Sequence, residues 1–303
     1  VTRRAIAIVP AILVVAASVS AQGNSAGQGN AHQGGITAGA AVAATPLPGS
    51  GTGTRTFGVW LDDASVAAPG GGWATFAVGS YDTDLFHEVD VPVADAGIGF
   101  TRRVQAGFSV PIYSLTPAGG TPVHGVGDVY VHGKIQLRDP EWSLDGIGYA
   151  IVPIVEITRT PLAGESKVNW GVPVAIEARH ARWRWYASGG YFSRGSVFGA
   201  AAIERPLTSR LTLTGTFSDS FATKALPGDP ANLPRTRADL TGGASYSMNS
   251  SWIVFGSIGR TISAHEGTST NLAISAGVSL NLAAPPQPRK TTRAVFVGPT
   301  RHS

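Results

Sequence analysis

Between residues 72 and 282 the chain alternates apolar and polar residues with a period of two, segment after segment, and the helical period of about 3.6 is hard to find. The clearest stretch is Gly127 to Arg138. Val129, Val131, Ile135 and Leu137 fall on one face; Asp128, Tyr130, His132, Lys134, Gln136 and Arg138 fall on the other. Leu211, Leu213, Phe217 and Phe221 likewise oppose Thr212, Thr214, Thr216, Ser218 and Ser220. Leu272, Ile274, Val278, Leu280 and Leu282 oppose Ser275, Ser279 and Asn281. Residues 104–112, 170–178 and 238–246 follow the same rule, with Glu177, Arg179, Arg237 and Asp239 on polar faces. Residues 89–100 obey it if a bulge lies near Val93-Ala94.

Dividing the region at its turns gives strands near 72–82, 88–101, 104–115, 126–138, 147–158, 168–179, 182–194, 196–204, 210–223, 237–248, 251–263 and 268–282. Most run to about 9 to 14 residues, where strands of soluble sheets average roughly 5 to 6 and roughly 9 to 11 residues cross a bilayer obliquely. Every second connection is longer: 116–125, 159–167 and 224–236 are rich in Gly and Pro. Arg102-Arg103, His180-Ala181 and Asn249-Ser250 are tight turns, 205–209 is brief, and 139–146 is a moderate exception. Long loops on one rim and short turns on the other is the asymmetry of outer-membrane barrels, whose termini share the periplasmic side when the strand number is even.

In hydrocarbon every backbone N–H and C=O needs a partner, so a sheet crosses only when it closes and leaves no edge. The expected fold is therefore all-β: a closed antiparallel up-and-down transmembrane β-barrel of about twelve strands, spanning 72–282. Apolar side chains would face lipid and the polar ones the lumen. Trp73, Trp170, Trp183, Trp185 and Trp252 lie at or near strand ends, as interfacial girdles require. Composition agrees, because charged residues make up only 14%, against roughly 25% in soluble domains. The formal charge of +4 is dispersed along the chain and argues against nucleic-acid binding. The absence of Cys removes disulfides, thiolate metal sites and cysteine nucleophiles.

The flanks read differently. Thr2-Arg3-Arg4, the apolar run Ala5 to Val19 and the small residues at Val19-Ser20-Ala21 describe a signal peptide over 1–21, cleaved after Ala21 for export. Residues 22–71 form a Gly/Ala-rich linker in which 54–68, with Phe57, Val59, Trp60 and Leu61, can be a short strand or a plug tucked into the lumen. Residues 283–303 are a basic tail carrying Arg289, Lys290, Arg293 and Arg301.

No catalytic constellation emerges, so no enzyme, cofactor or metal site is expected. G-x-S-x-G is missing, and His132 has no Ser or acid at a triad spacing, which makes it a lumen-filling residue. Gly125, Gly127 and Gly133-Lys134 fail the spacing of a phosphate loop. Asp82 and Asp84 lack the rest of a calcium loop. What remains are acid and base pairs on the inner faces: Asp128 with Lys134 and Arg138, Glu177 with Arg179, and Arg237 with Asp239. They would cross-link a packed lumen or line a polar path and set its selectivity. The lumen-lining candidates are these residues together with Tyr130, His132 and Gln136.

Two stretches, Gly97-Ile98-Gly99-Phe100-Thr101-Arg102-Arg103-Val104-Gln105-Ala106-Gly107-Phe108-Ser109-Val110-Pro111-Ile112-Tyr113 and Gly127-Asp128-Val129-Tyr130-Val131-His132-Gly133-Lys134, are similar to the transporter-type outer-membrane barrels of the phenol-degradation meta-pathway family. The last strand resembles the assembly signal of such barrels through Gly277, Leu280 and Leu282, but Leu282 stands where an aromatic is usual and a tail follows. The resemblance implies passage of a small molecule across the outer membrane, with membrane lipid and the barrel-assembly machinery as partners. A non-transporting structural or adhesive barrel, and a secreted soluble β-sandwich, are the alternatives that alternation also allows.

Overall fold

The computed structural model describes residues 54–56, 59–84, 86–140, 146–157, 166–180, 183–193, 195–223, 236–264 and 269–282. The expected leader over 1–21, most of the linker and the tail from 283 lie outside the described residues. A short hairpin of β1 (Thr54–Thr56) and β2 (Val59–Leu61) comes first. It is followed by β3 (Gly72–Thr83), β4 (Phe86–Gly99), β5 (Val104–Pro117), β6 (Val123–Val126), β7 (Val129–Arg138), β8 (Ile147–Ile151), β9 (Ile154–Ile157), β10 (Val168–Gly171), β11 (Val174–His180), β12 (Trp183–Phe192), β13 (Ser196–Pro206), β14 (Leu211–Ala222), β15 (Thr236–Ser247), β16 (Trp252–Ala264) and β17 (Thr270–Leu282). The described residues contain no helix.

Strands β3 to β17 form one antiparallel sheet that closes on itself, because β17 pairs with β3 from Leu282↔Gly72 to Thr270↔Thr83. A two-sheet sandwich would leave edges; this ring leaves none. It has twelve staves, since β6 with β7, β8 with β9, and β10 with β11 are successive segments of single staves. The interruptions at 152–153 and 172–173 are local consequences of proline, which brings no N–H to the ladder. The carbonyls stay paired: Pro153 O accepts from Gly133 N at 2.8 Å and Pro173 O from Val152 N at 2.9 Å. Facing is also preserved, with Ala150, Val152, Ile154 and Glu156 buried while Pro153 and Val155 are exposed.

Alternation sorts the side chains into two environments. In β7, Tyr130, His132, Lys134 and Gln136 are buried, while Val131, Ile135 and Leu137 are exposed on the outer surface. In β14, Thr212, Thr214, Thr216 and Ser218 are buried and Leu213 is exposed. The β4 bulge is present but sits two residues earlier than the hydropathy pattern places it, at the register shift between Asp90 and Val93. There the inward set passes from Phe86, Glu88 and Asp90 to Val93.

Three expectations need correction. Trp73 is not part of an outer girdle; it is 1% exposed, points inward and donates from Nε1 to Asp95 Oδ1 at 2.5 Å. A residue near a strand end faces either way, and parity, not position along the strand, decides. Trp170, Trp183, Trp185 and Trp252 do lie exposed on the outside. The two rims differ less than the loop pattern implies, because 84–85 and 193–195 are short connections on the long-loop rim, and the 116–125 loop contains β6. The inner wall is also not uniformly polar: Ala175, Tyr186, Phe192, Phe198, Ala200 and Ala202 form an apolar cluster with Ala150, Val152 and Ile154.

The facing assignment predicts the outcome of single-cysteine scanning on β14. In a chain with no native Cys, cysteine at Leu213 or Phe217 should react with a membrane-soluble maleimide faster than cysteine at Thr214 or Thr216. The opposite order would put the register wrong by one residue.

Candidate functional site

The apolar cluster is explained by what fills the barrel. Trp60, Leu61 and Ala64 belong to it, and every residue from Trp60 to Val66 is buried. This segment stands inside the ring, with β2 packed against β12, β13 and β14. Ser188 fixes its entry by accepting from Asp62 N at 3.1 Å and donating to Trp60 O at 2.5 Å. Gln136 Nε2 donates to Ala64 O at 2.9 Å, and Ala67 N donates to Gln105 Oε1 at 2.6 Å. The Trp60 indole lies 4.9 Å from the His132 ring, and Trp73 lies 6.3 Å from the same imidazole on another side.

Glycine makes the close passage feasible. A Cβ on Gly99 would stand 2.2 Å from Ala67 O, and one on Gly107 would stand 2.7 Å from His132 Nε2. The chain then turns into β3 through Gly70, whose φ of 78° is in the left-handed region that glycine adopts without strain. Gly70 N and Gly71 O engage Gly99 O and Gly99 N at 2.8 and 2.9 Å.

Charge holds the segment. Lys134 Nζ reaches Asp62 Oδ1 at 2.6 Å, Asp63 Oδ1 at 2.7 Å and Ser65 O at 2.8 Å. Arg184 bridges the segment and the wall: Nη2 contacts Asp63 Oδ2, Nε donates to Glu177 Oε1 at 2.8 Å, and Nη1 donates to Glu204 Oε2 at 3.1 Å. Arg179 Nε meets Glu177 Oε1 at 2.7 Å and its Nη2 reaches Ser65 Oγ at 3.0 Å. Ser65 Oγ in turn donates to Glu177 Oε2 at 2.7 Å. Four carboxylates and three cations thus form one buried network, in which each charge has partners of opposite sign.

The sequence-derived candidates separate into groups in this geometry. Lys134, Gln136, Glu177 and Arg179 belong to the network, and His132 borders it through Trp60. Tyr130 is buried on the same stave and contacts Glu156 through its hydroxyl. Asp128 is buried on that stave where β6 passes into β7. It is not the partner of Lys134, because six residues of strand separate them by about 20 Å. Arg138 also departs from the expected lumen position: past the register shift after Gln136 it is exposed at the end of β7.

Arg237 and Asp239 pair at 2.9 Å on the inner wall near the long-loop rim. Thr261 Oγ1 donates to Asp239 at 2.6 Å, and Arg237 Nη2 donates to Thr270 Oγ1 at 2.7 Å. Sequence reasoning missed Asp62, Asp63, Arg184 and Glu204. Asp62 and Asp63 are the first acids in the chain and follow Trp60-Leu61 directly, which is a legible signal for a segment seeking buried cations. Arg184 sits between the outward Trp183 and Trp185, so parity alone assigns it to the lumen.

No family model and no curated protein matches this chain. Among solved structures, the COG4313 outer membrane channel from Pseudomonas putida F1 is similar over 73% of this chain and 98% of its own, at 11% identity and a TM-score of 0.60. The NanC porin is similar over 69% of this chain and 100% of its own, at 9% identity and a TM-score of 0.49. At 11% identity the likeness to the COG4313 channel is one of fold, a closed outer-membrane type barrel.

The network predicts a large effect from one truncation. Lys134→Met should lower unfolding stability by about 3–5 kcal/mol, since it leaves Asp62 and Asp63 buried with less compensation. Adding Asp62→Asn and Asp63→Asn should recover part of that loss, because the three residues are coupled. Urea unfolding of the refolded protein reads both, and a neutral Lys134→Met would contradict the arrangement.

Proposed function

We propose that this chain is a bacterial outer-membrane channel for small molecules, held closed in this conformation by residues 60–68. The observation that carries the reading is the combination of an apolar exterior with a charged interior whose inner wall is bridged by a segment of the chain itself. An exterior bearing Phe76, Val131, Leu213 and Ile274 suits hydrocarbon, and the closed ladder meets the need of a membrane-crossing sheet. Away from the network, Glu88, Asp90, Asp128, Arg237 and Asp239 lie on the inner wall toward the long-loop rim, a polar lining of the kind that sets ion preference. The two stretches 97–113 and 127–134 support grouping it with the phenol-degradation meta-pathway barrels. Export by the N-terminal leader and insertion by the barrel-assembly machinery belong to the same proposal.

A filled lumen also favours a second reading, a structural barrel through which nothing passes. Conductance separates the two. In planar bilayers the full chain should be nearly silent, and a variant lacking 22–71 should conduct several-fold more. In that variant Lys134→Glu should move the reversal potential toward cation preference and Asp128→Lys toward anion preference, through a confined and poorly screened lumen. A deletion variant that migrates as a heat-modifiable folded barrel yet conducts nothing would assign the protein to the structural reading.

A further inference from the structure

The buried charge network takes up one side of the lumen. Its hydrogen bonds and ion pairs tie residues 60–68 to β5, β7, β11 and β12. The inner wall from β14 to β17 is built differently. Thr214, Thr216 and Ser218 point inward from β14, with Gly243, Thr241 and Asp239 as their ladder partners on β15. Ser257 and Gly259 follow on β16, opposite Gly243 and Thr241, and Ser275 on β17 stands opposite Ser257. Apart from Asp239, no side chain in this patch is charged or larger than Thr. Asp239 is engaged by Arg237 and Thr261, and Glu204, opposite Thr214 on β13, turns to Arg184.

Among the described residues, the side-chain hydroxyls of Thr214, Thr216, Ser218 and Thr241 have no hydrogen-bond partner. Thr214, Thr216 and Ser218 are only 5, 7 and 1% exposed. Buried hydroxyls are ordinarily bonded, because leaving one unbonded is costly. Three of these recur at every second residue of β14, about 6.6 Å apart, and Thr241 stands directly across the ladder from the middle one. Farther round the wall the hydroxyls are paired, Ser257 with Ser275 at 2.7 Å and Thr75 with Ser279 at 2.9 Å. The unsatisfied set is thus a continuous row confined to β14 and β15.

We infer, resting on the channel reading proposed above, that this row is the recognition strip for a neutral polyhydroxylated solute. The solute enters between residues 60–68 and the β14–β15 wall and bonds to the four hydroxyls in succession. A hydroxyl both donates and accepts, so the row matches a ligand whose own groups do both. An ion would lose its water there and gain no charged partner, so it is disfavoured. The charge network lies on the other side of the segment and stays intact as the solute passes. The full chain is then nearly silent to ions while admitting the solute.

Osmotic swelling of proteoliposomes carrying the full chain tests this, with sorbitol compared against potassium gluconate in the presence of valinomycin. The two solutes share a hydroxylated carbon chain and differ by a carboxylate. Sorbitol should enter about fivefold faster, and Thr214→Val with Thr216→Val and Ser218→Ala should remove most of that advantage, as expected when one or two hydrogen bonds are lost. Thr216→Ser, which keeps a hydroxyl, should retain it. The triple variant should resist urea at least as well as the wild type, because its row no longer buries unbonded hydroxyls.

Equal entry of the two solutes overturns the strip, as does undiminished sorbitol entry in a triple variant that migrates as a heat-modifiable folded barrel. A triple variant that loses urea resistance while sorbitol entry persists assigns the hydroxyls to water bridges within the wall, and overturns it too. Should the triple variant not fold, Thr216→Val alone decides: sorbitol entry should fall about twofold, the loss of part of one hydrogen bond, and unchanged entry counts against the strip. Exclusion of both solutes by the folded full chain also overturns it, whereas the channel reading stands or falls separately on the conductance of the variant lacking 22–71.

Discussion

The ladder between β17 and β3 is the interaction on which the rest of the molecule depends. Until Leu282 pairs with Gly72 and Thr270 with Thr83, the sheet has two open edges, and neither hydrocarbon nor a dry interior can satisfy them. Closing it fixes the parity of every stave at once. Thr75 and Ser279, which share a hydrogen bond of 2.9 Å across the seam, are committed to the inside, and Phe76 and Ile274 to the outside. A one-residue slip here would invert those environments.

Closure creates a second problem, an interior lined with charge. A twelve-stave ring is wider than wall side chains alone fill, and wall cations such as Lys134 and Arg184 would face either water or a low-dielectric gap. Residues 60–67 resolve it by bringing Asp62 and Asp63 to Lys134 and Arg184, while Trp60 and Leu61 meet the apolar cluster of β8 to β13. Buried ion pairs of this kind contribute little net stability relative to an apolar core, yet losing one partner is expensive. That asymmetry makes the position of the segment specific, since it is held by a few contacts each of which is costly to lose.

Most of the wall was legible in the sequence because a period of two is a local signal. Val129 to Leu137 and Leu211 to Phe221 reveal their faces without any knowledge of their neighbours. The plug was not legible to the same degree. Its contacts join residues far apart in the chain, such as Ser65 with Glu177 and Asp63 with Arg184, and no periodicity encodes them. Only the chemistry of two adjacent acids after a Trp-Leu pair hinted at them. Trp73 at a strand end is assigned by parity and not by its place along the strand, and closeness along a strand, as between Asp128 and Lys134, does not make a pair, because partners in a barrel come from across the ladder or across the lumen.

The segment around Trp60 occupies the lumen of the closed ring. The most direct measurement of this replaces Trp60 with the photo-crosslinking residue p-benzoylphenylalanine and irradiates the folded protein in native membranes. Mass spectrometry should then recover crosslinks to peptides containing Tyr130 and His132 on β7 and Ser188 on β12. Crosslinks confined to lipid or to other proteins would place the segment outside the barrel and contradict a filled lumen.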